Sequence, residues 1–336
     1  RDVLSACPDA VFRKERRQIM KKISVIISSL RPHKLEATID SIGIHSDLCE
    51  VVVVGPYPPN TREYVTHVKI DDPKQGDPYQ REAAGEPSLS QKMNMGLKAA
   101  NGEYIVFHND DLHFRKGWAP KLVEFMEKNK DKPRPYLASF ISAVGGEIPN
   151  RYTVFGLLYA NLGCIRKEDL KAVGGQIYDE RMRTEYVDPD LSLRVWAKGG
   201  TVEICKDVVI DIDSYTRSDK NDKDPLCRSY KSYWLVPDAG AFFDIWFPKY
   251  FPLFFRKYGK VSKLFSNSDG VLPESLYGKG AFAVFGKYII KLFIHTLSGN
   301  RKKAGEIKKD LARLVNRRWI TLDYDAPYKR EEIIRK

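Results

Sequence analysis

The sequence lacks the cysteine pairs that indicate a zinc or thiol–disulfide site. Its 336 residues include five cysteines, which are odd in number, widely spaced and never arranged as CxxC. That spacing is typical of zinc ligands and redox motifs, so its absence excludes a zinc-ribbon or thioredoxin-like protein. A reduced, cytoplasmic compartment is the simplest interpretation.

Long hydrophobic runs are also missing. No uninterrupted apolar stretch reaches the roughly 20 residues of a membrane-spanning helix. The polar, basic residues 1–20 do not contain the apolar core of a signal peptide and predict an N-terminal arm. We therefore expect a cytoplasmic protein that is either soluble or peripheral on the inner face of the membrane.

The excess positive charge is concentrated in the last third of the sequence. With 43% hydrophobic and 30% charged residues, the composition is typical of a folded globular protein. The net charge of +12 comes almost entirely from residues 241–336, which hold 20 Lys and Arg against 9 Asp and Glu. We therefore predict three parts: the arm at 1–20, a domain at 21–240, and a basic, aromatic, helical extension at 241–336.

Alternating strand and helix patterns fill the first part of that domain. We predict strands at 23–29, at 51–54 and in the apolar run before Asn109, helices at 32–42, 88–101 and 117–130, and a long irregular connection at 56–87. Strand, helix and strand within 35 residues is the unit from which parallel sheets are built. The pattern predicts an α/β fold with a Rossmann-like, mostly parallel central sheet.

The remainder of the chain has mixed character. We predict helices at 167–172 and from Pro189 onward, strands at 201–204 and 208–212, a mobile loop at 214–228, an apolar helix at 281–297 and a basic helix after it. Because the last third is dense in aromatic residues and has no strand pattern, we interpret it as a helical addition to the sheet domain.

The apolar strand predicted before Asn109 runs directly into a cluster of oxygen-bearing side chains. Asn109, Asp110 and Asp111 follow its apolar residues, at the point where an open α/β sheet presents groups to a ligand. Such oxygen ligands suit a hard divalent cation and the phosphates that it carries. Taken alone, the three residues are better explained as a solvated turn that ends a strand.

The order of several motifs resembles the family 2 glycosyltransferases with the glycosyltransferase-A fold. The motifs are a strand ending in Ser28-Ser29, a strand ending near Gly55, Asn94-x-Gly96, the acidic cluster, Gly174-Gly175, Asp179-Glu180-Arg181, and Asp188-x-Asp190 followed by Leu-Ser-Leu-Arg. The resemblance covers roughly residues 22–212 and not the C-terminal third. It implies an inverting transfer of a sugar from a nucleotide-diphosphate donor to a saccharide or lipid-linked acceptor, in cell-surface polysaccharide synthesis.

The resemblance also implies a metal site. In that family a DxD motif holds Mg²⁺ or Mn²⁺, and its positions fall here on Asn109 and Asp111, with Asp111 expected to contact the metal. Asn109 keeps an oxygen ligand but removes a charge, which leaves metal dependence an open question. The family often supplies a late His that is missing here, so Asp211 is a candidate ligand, with a structural role as its alternative.

For the acceptor side, the family position of the catalytic base falls on Asp188. A base is needed because the acceptor hydroxyl loses its proton as it attacks the anomeric carbon. Asp190 is the second candidate, and a simple helix cap is the alternative interpretation of Asp188.

For the donor side, the resemblance points to residues after the first strand and on a neighbouring helix. The candidates for nucleotide-sugar binding are Ser28, Ser29, Arg31, Lys92, Asn94, Asn109 and Asp110. The alternative interpretation of Ser28, Ser29 and Arg31 is an ordinary turn, and that of Lys92 and Asn94 is a solvated helix face. The family often carries an Asp that contacts the nucleotide after the second strand, and Gly55-Pro56 stands there in this sequence. The sequence therefore does not identify the donor nucleotide.

Three interpretations of residues 241–336 stay open: a packed structural region, a membrane-surface anchor, and a nucleic-acid binder. The nucleic-acid binder is the weakest of the three, because the basic residues share a helix with an ordinary buried apolar stripe.

Two alternatives to a glycosyltransferase also remain. One is a nucleotidyltransferase on a similar fold, and the other is a catalytically inactive binding module or membrane-attached scaffold.

Overall fold

The computed structural model describes residues 21–71, 85–143, 147–148, 152–212, 238–250, 265–267, 290–305 and 307–308. The strands are β1 Ile23–Ser28, β2 Cys49–Gly55, β3 Val65–Lys69, β4 Tyr104–Asn109, β5 Leu112–Phe114, β6 Tyr136–Ala143, β7 Glu147–Ile148, β8 Tyr152–Val154, β9 Leu157–Leu158, β10 Gly163–Arg166, β11 Thr201–Ile212 and β12 Phe265–Asn267. The helices are α1 Pro32–Gly43, α2 Leu89–Ala99, α3 Trp118–Lys128, α4 Lys167–Ala172 and α5 Val187–Ala197. Residues 238–250 are also helical.

The central sheet has the order β3-β2-β1-β4-β10-β6-β11-β5, with β7 beside β6. Its strands β3, β2, β1 and β4 are mutually parallel, and β6 and β11 are parallel to each other. Strand β10 runs antiparallel to both of its neighbours, and β5 runs antiparallel to β11. The predicted α/β architecture with a mostly parallel sheet is therefore confirmed.

The sheet curls strongly around the acidic cluster. Strands β4 and β5 lie far apart in the strand order, yet Asp110 and Asp111 alone separate them in sequence. Three residue steps bridge at most about 11 Å, so the two strands must approach each other. The cluster consequently sits where the curled sheet nearly closes.

Two apolar cores cover the faces of the sheet. One contains Ile26, Ile105 and Phe107 and is covered by α2, α5 and the 238–250 helix. The other contains Val25 and Val106 and is covered by α1 and α3. Helices on both faces bury the central strands β1, β2 and β4 almost completely, which explains why the sequences of these three strands are continuous apolar runs.

Local signals place the helices that flank the site. Helix α1 begins with Pro32 in its first turn and buries Leu35, Ile39 and Ile42, as predicted. Helix α2 begins with the predicted capping box, in which the Ser88 and Gln91 side chains each bond the other's backbone.

Two predictions about elements require correction, and two others lie wholly or mostly outside the described residues. The connection at 56–87 contains a further strand, β3, and the two strands predicted at 201–204 and 208–212 are one strand, β11, with a register shift between Cys205 and Val209. The loop predicted at 214–228 lies outside the described residues, as does most of the helix predicted at 281–297.

The boundary predicted at residue 240 falls inside the 238–250 helix. Phe242, Phe243, Ile245 and Trp246 of this helix are buried in the same core as Phe107. The beginning of the predicted C-terminal extension is thus part of the sheet domain's core. No helix within the described parts of the chain has the length and apolarity needed to cross a bilayer.

Candidate functional site

The carboxyl ends of β1 and β4 bring three of the predicted donor-side residues together. In the parallel register Ser28 lies opposite Asn109, so the turns that follow the two strands meet. The Ser29 hydroxyl donates to Oδ2 of Asp110 over 2.8 Å, and the Arg31 guanidinium binds both carboxylate oxygens of Asp110. The Asp110 carboxylate is therefore held inside the protein.

The same edge explains the glycine that follows β2. The Ser29 amide donates to the Val54 carbonyl over 3.0 Å, which places the Ser29 backbone directly against Gly55. A Cβ atom at residue 55 would lie only 2.3 Å from the Ser29 carbonyl oxygen. The Asp that the family often carries after this strand has no room here.

Asn109 and Asp111 are the accessible members of the acidic cluster. Asn109 is exposed, and the Asp111 side chain is 28% exposed compared with 4% for Asp110. Arg31 Nη2 lies 3.1 Å from Oδ2 of Asp111 and so contacts both carboxylates. Two oxygen-bearing side chains, one of them charged, consequently face outward at the end of β4.

His108 lies directly before this cluster and is uncharged. Its ring is fully buried and stacked on Phe114 with the centroids 4.6 Å apart. Burial lowers the pKa of His108 to about 4. At neutral pH the imidazole therefore adds no positive charge to the site.

Asp211 is separately engaged. It lies opposite His113 in the pairing of β11 with β5, and the Arg115 guanidinium donates to both of its carboxylate oxygens at 2.7–3.1 Å. Across the described residues, no group of three or more His, Cys, Asp or Glu side chains is arranged to hold a metal ion.

Asp188, the predicted base, is the second residue of α5 and is half-buried. The Tyr178 hydroxyl donates to Oδ1 of Asp188 over 2.7 Å. Burial, and then the Asp188 charge, raise the pKa of Tyr178 far above its ordinary value, which keeps the phenol protonated as a donor. Tyr178 thus fixes the orientation of the Asp188 carboxylate.

Tyr178 also connects the two halves of the site. Its ring packs edge-on against Phe107, with the ring centroids 6.1 Å apart. Phe107 and Asn109 are two residues apart on β4, so their side chains point to the same face of the sheet. Asp188 and Asn109 therefore lie on the same face of the sheet.

Asp190 does not share the exposure of Asp188. It is fully buried, and its two oxygens accept hydrogen bonds from Arg194 Nε and Trp246 Nε1, both over 2.9 Å. Burial raises the pKa of Asp190, and the Arg194 charge opposes that shift. The geometry gives Asp190 a structural position in the core, bound to Arg194 and Trp246.

The two candidates on α2 are turned toward the protein interior. The Asn94 amide group donates to the Tyr178 carbonyl over 2.8 Å and accepts from the Ile177 amide over 3.1 Å, so it holds the segment that carries Tyr178. Lys92 is buried beside Glu86, with 3.7 Å between Nζ and Oε1.

Sequence reasoning missed three residues that shape the site: Tyr178, Asp238 and Trp246. Each acts on a residue that is ten or more positions away in the chain. The one available signal was compositional, because a Trp in an aromatic run such as 242–247 is usually buried and then needs a partner for its N–H.

Comparisons with known proteins were made on the sequence and on the structure. Residues 24–132 match the family described as Glycosyl transferase family 2. This range includes β1, α1 and the acidic cluster but ends before Asp188. No curated protein matches the sequence.

Two solved structures are similar at low identity. The crystal structure of S. aureus TarS is 14% identical with a TM-score of 0.41, over 66% of this chain and 43% of that one. The crystal structure of GalNAc-T7 with UDP, GalNAc and Mn²⁺ is 14% identical with a TM-score of 0.46, over 76% and 53%. The matched part of this chain thus spans about half the length of these proteins.

Proposed function

We propose that this chain, a family 2-like glycosyltransferase, moves a sugar from a nucleotide-diphosphate donor to a saccharide or lipid-linked acceptor with inversion at the anomeric carbon. Cell-surface polysaccharide synthesis is the process that we propose it serves. The observation that carries the proposal is the placement of Asp188, held by Tyr178, on the face of the sheet where Asn109 ends β4. In this proposal Asp188 serves the acceptor, and the end of β4 at Asn109 serves the donor.

In the proposed reaction the acceptor oxygen attacks the anomeric carbon and forms the new glycosidic bond. The bond from that carbon to the donor diphosphate breaks, and the diphosphate leaves with the electron pair. Asp188 takes the proton of the acceptor hydroxyl as general base. Tyr178 orients that carboxylate, and Asn94 supports Tyr178, so both are positioning residues.

The residues at the end of β4 fit a divalent cation. One carboxylate and one amide oxygen, completed by phosphate oxygens of the substrate, form a set that Mg²⁺ or Mn²⁺ commonly uses. Asp111 and Asn109 would hold the ion, which when bound supplies positive charge beside the leaving diphosphate. We assign neither Asp110 nor Asp211 to the metal, because an arginine binds both oxygens of each of these carboxylates, whereas Arg31 contacts Asp111 at Oδ2.

A donor screen tests this function. Thermal unfolding is followed with a panel of nucleotide sugars, with and without Mn²⁺, and the bound donor is then supplied with saccharide acceptors. A donor at 100 times its dissociation constant raises the free energy of unfolding by about 2.7 kcal/mol. We expect at least one donor to do so and the product to carry the anomeric configuration opposite to that of the donor.

Other outcomes would overturn the proposal. Stabilisation by no donor would favour the binding module or scaffold, and release of pyrophosphate from a nucleoside triphosphate would favour the nucleotidyltransferase. A product that retains the donor's configuration would contradict the single displacement with Asp188 as base. The matched control uses each nucleotide without its sugar, which separates recognition of the sugar from recognition of the diphosphate.

We further propose that residues 290–303 contact an anionic membrane surface. The helix at 290–297 exposes four apolar side chains with the spacing i, i+3, i+4 and i+7, and they are 53–72% exposed: Ile290, Phe293, Ile294 and Leu297. Leu292, on the opposite side, is more buried. This is the reverse of a helix in a soluble protein, which buries its apolar side.

The charge beside this apolar side suits anionic lipids. Lys291, Arg301, Lys302 and Lys303 are all exposed. An interfacial helix binds through its apolar side chains and through basic residues that attract anionic headgroups. Such a surface would bring the site to a lipid-linked acceptor.

Vesicle sedimentation tests the membrane proposal. We expect Phe293→Ser with Leu297→Ser to lower partitioning onto phosphatidylglycerol vesicles more than about tenfold, because each buried apolar side chain contributes about 1.5–3 kcal/mol. The matched control is Ile44→Ser, which changes an exposed isoleucine elsewhere and should leave binding unchanged. Equal binding of the double variant and the parent protein, or no binding by the parent, would refute the proposal.

A further inference from the structure

We infer that the 238–250 helix completes the acceptor side of the active site, with Asp238 and Trp246 as positioning residues for Asp188. The inference rests on the proposed function, because it takes Asp188 to be the base. It concerns two residues that lie about 50 positions further along the chain than α5. Neither is expected to touch the substrates.

Asp238 holds the turn that leads into α5. It is fully buried, and its carboxylate accepts three backbone N–H groups: those of Arg183 over 2.9 Å, Thr184 over 2.8 Å and Glu185 over 2.9 Å. Hydrogen bonds from amides to a buried carboxylate are strong because the acceptor is charged. The three hydrogen bonds therefore restrain the conformation of the turn.

The residue after this turn explains why outside support is needed. Tyr186 occupies the N-cap position of α5 with a positive φ of 63°, a conformation that a bulky residue adopts at a cost in free energy. Tyrosine is also not a capping residue type. Phe242, one helical turn after Asp238, stacks on the Tyr186 ring with the centroids 5.2 Å apart.

Trp246 holds α5 at Asp190, two residues after Asp188. Its indole N–H donates to Oδ1 of Asp190 over 2.9 Å, while Arg194 occupies Oδ2. Asp190 follows Asp188 by two residues, with Pro189 between them restricting the backbone. Removing the indole N–H would leave a buried carboxylate oxygen without this partner two residues after the base.

The helix thus supports α5 at three successive places. Asp238 binds the turn at 183–185, Phe242 contacts Tyr186, and Trp246 binds Asp190. Asp238 and Trp246 are eight residues apart, about 12 Å along a helix. Asp188 lies in the short segment between the first and last of these contacts, so a shift of the 238–250 helix would move the base.

Small movements of a base are costly, since a misplacement of about 1 Å lowers the rate by about 100-fold. We therefore expect Asp238→Asn and Trp246→Phe each to lower kcat between about 10- and 100-fold. The donor dissociation constant should stay within about twofold of the parent value, because the donor binds at the end of β4. A general loss of structure would instead weaken donor binding as well.

Trp196→Phe is the matched control. Trp196 lies on α5 itself and donates its indole N–H to the Leu158 carbonyl over 2.7 Å, away from Asp190. The same substitution thus removes an indole hydrogen bond that α5 makes to another part of the chain, with a neutral carbonyl as the acceptor. We expect Trp196→Phe to keep kcat within about twofold.

The experiment measures kcat, the acceptor KM, the donor dissociation constant and the unfolding midpoint for the parent, Asp238→Asn, Trp246→Phe, Trp196→Phe and Asp188→Asn proteins. Parent-like kcat in both Asp238→Asn and Trp246→Phe, or an equal loss in Trp196→Phe, overturns the inference. If Asp188→Asn also transfers at the parent rate, the proposed base fails first. If it is inactive while Trp246→Phe and Asp238→Asn are active, the positioning inference alone fails.

Discussion

Replacing Asp188 by asparagine lowers kcat about 10³-fold and leaves donor affinity unchanged. The amide cannot take a proton, and a positioned general base contributes about 10²–10⁴-fold to a rate. Its carbonyl oxygen still accepts the Tyr178 hydroxyl that now bonds Asp188 over 2.7 Å, so the geometry is preserved. Nucleotide release under saturating substrates measures the rate, and titration calorimetry measures donor binding.

The pH dependence gives this prediction a second readout. The parent rate should fall as the pH is lowered and the base becomes protonated, whereas the residual rate of Asp188→Asn should lack that acid limb. Asp40→Asn is the matched control, because Asp40 is an exposed carboxylate on α1 and is paired with Arg62. A loss smaller than about tenfold in Asp188→Asn would remove Asp188 as the base.

The parts of the fold that the sequence predicts correctly rest on local signals. The continuous apolar run of β1 is fully buried at Ile23–Ile27, and α1 buries the three residues that its periodicity selects. The Ser88 capping box depends on residues three apart. Such signals involve neighbouring residues only, so they need no knowledge of the tertiary structure.

The elements that sequence reasoning missed lack such local signals. Strand β3 is half-exposed along its length and stands in a connection rich in Pro and Asp. Strand β11 contains Lys206 and Asp207 at its register shift, and these polar residues divide one strand into two apparent ones. Pairing with neighbouring strands, rather than the composition of the segment, produces both.

Motif order predicts the position of the candidate site, but it does not predict which of its side chains are accessible. Arg31, nearly 80 residues earlier in the chain, binds both oxygens of the buried Asp110 and contacts Oδ2 of the more exposed Asp111. Whether Asp188 or Asp190 is accessible is decided by Trp246, 56 residues after Asp190. Adjacent acidic residues look equivalent in sequence until a distant partner distinguishes them.

Replacing Asp111 by alanine is expected to lower transfer about 10²–10³-fold, the usual effect of removing one group that stabilises charge on a leaving group. Asp111 is the one carboxylate at the end of β4 with substantial exposure. The increase in donor affinity that Mn²⁺ produces should disappear in the same variant. Calorimetric titration of donor with and without Mn²⁺ detects that loss independently of turnover.

Asp211→Asn separates the two candidate metal positions. Its carboxylate is bound by Arg115 on the strand edge formed by β5 and β11, and a half-exposed ion pair of this kind contributes about 0–1 kcal/mol to stability. We therefore expect this variant to retain the effect of Mn²⁺ on donor affinity. If Asp211→Asn abolished the effect while Asp111→Ala preserved it, the ion would be held at the end of β11. If neither variant altered donor binding and Mn²⁺ never increased it, protein side chains would have to stabilise the charge of the leaving diphosphate. Arg31, which lies within 3.1 Å of Asp111, would then be the first residue to replace.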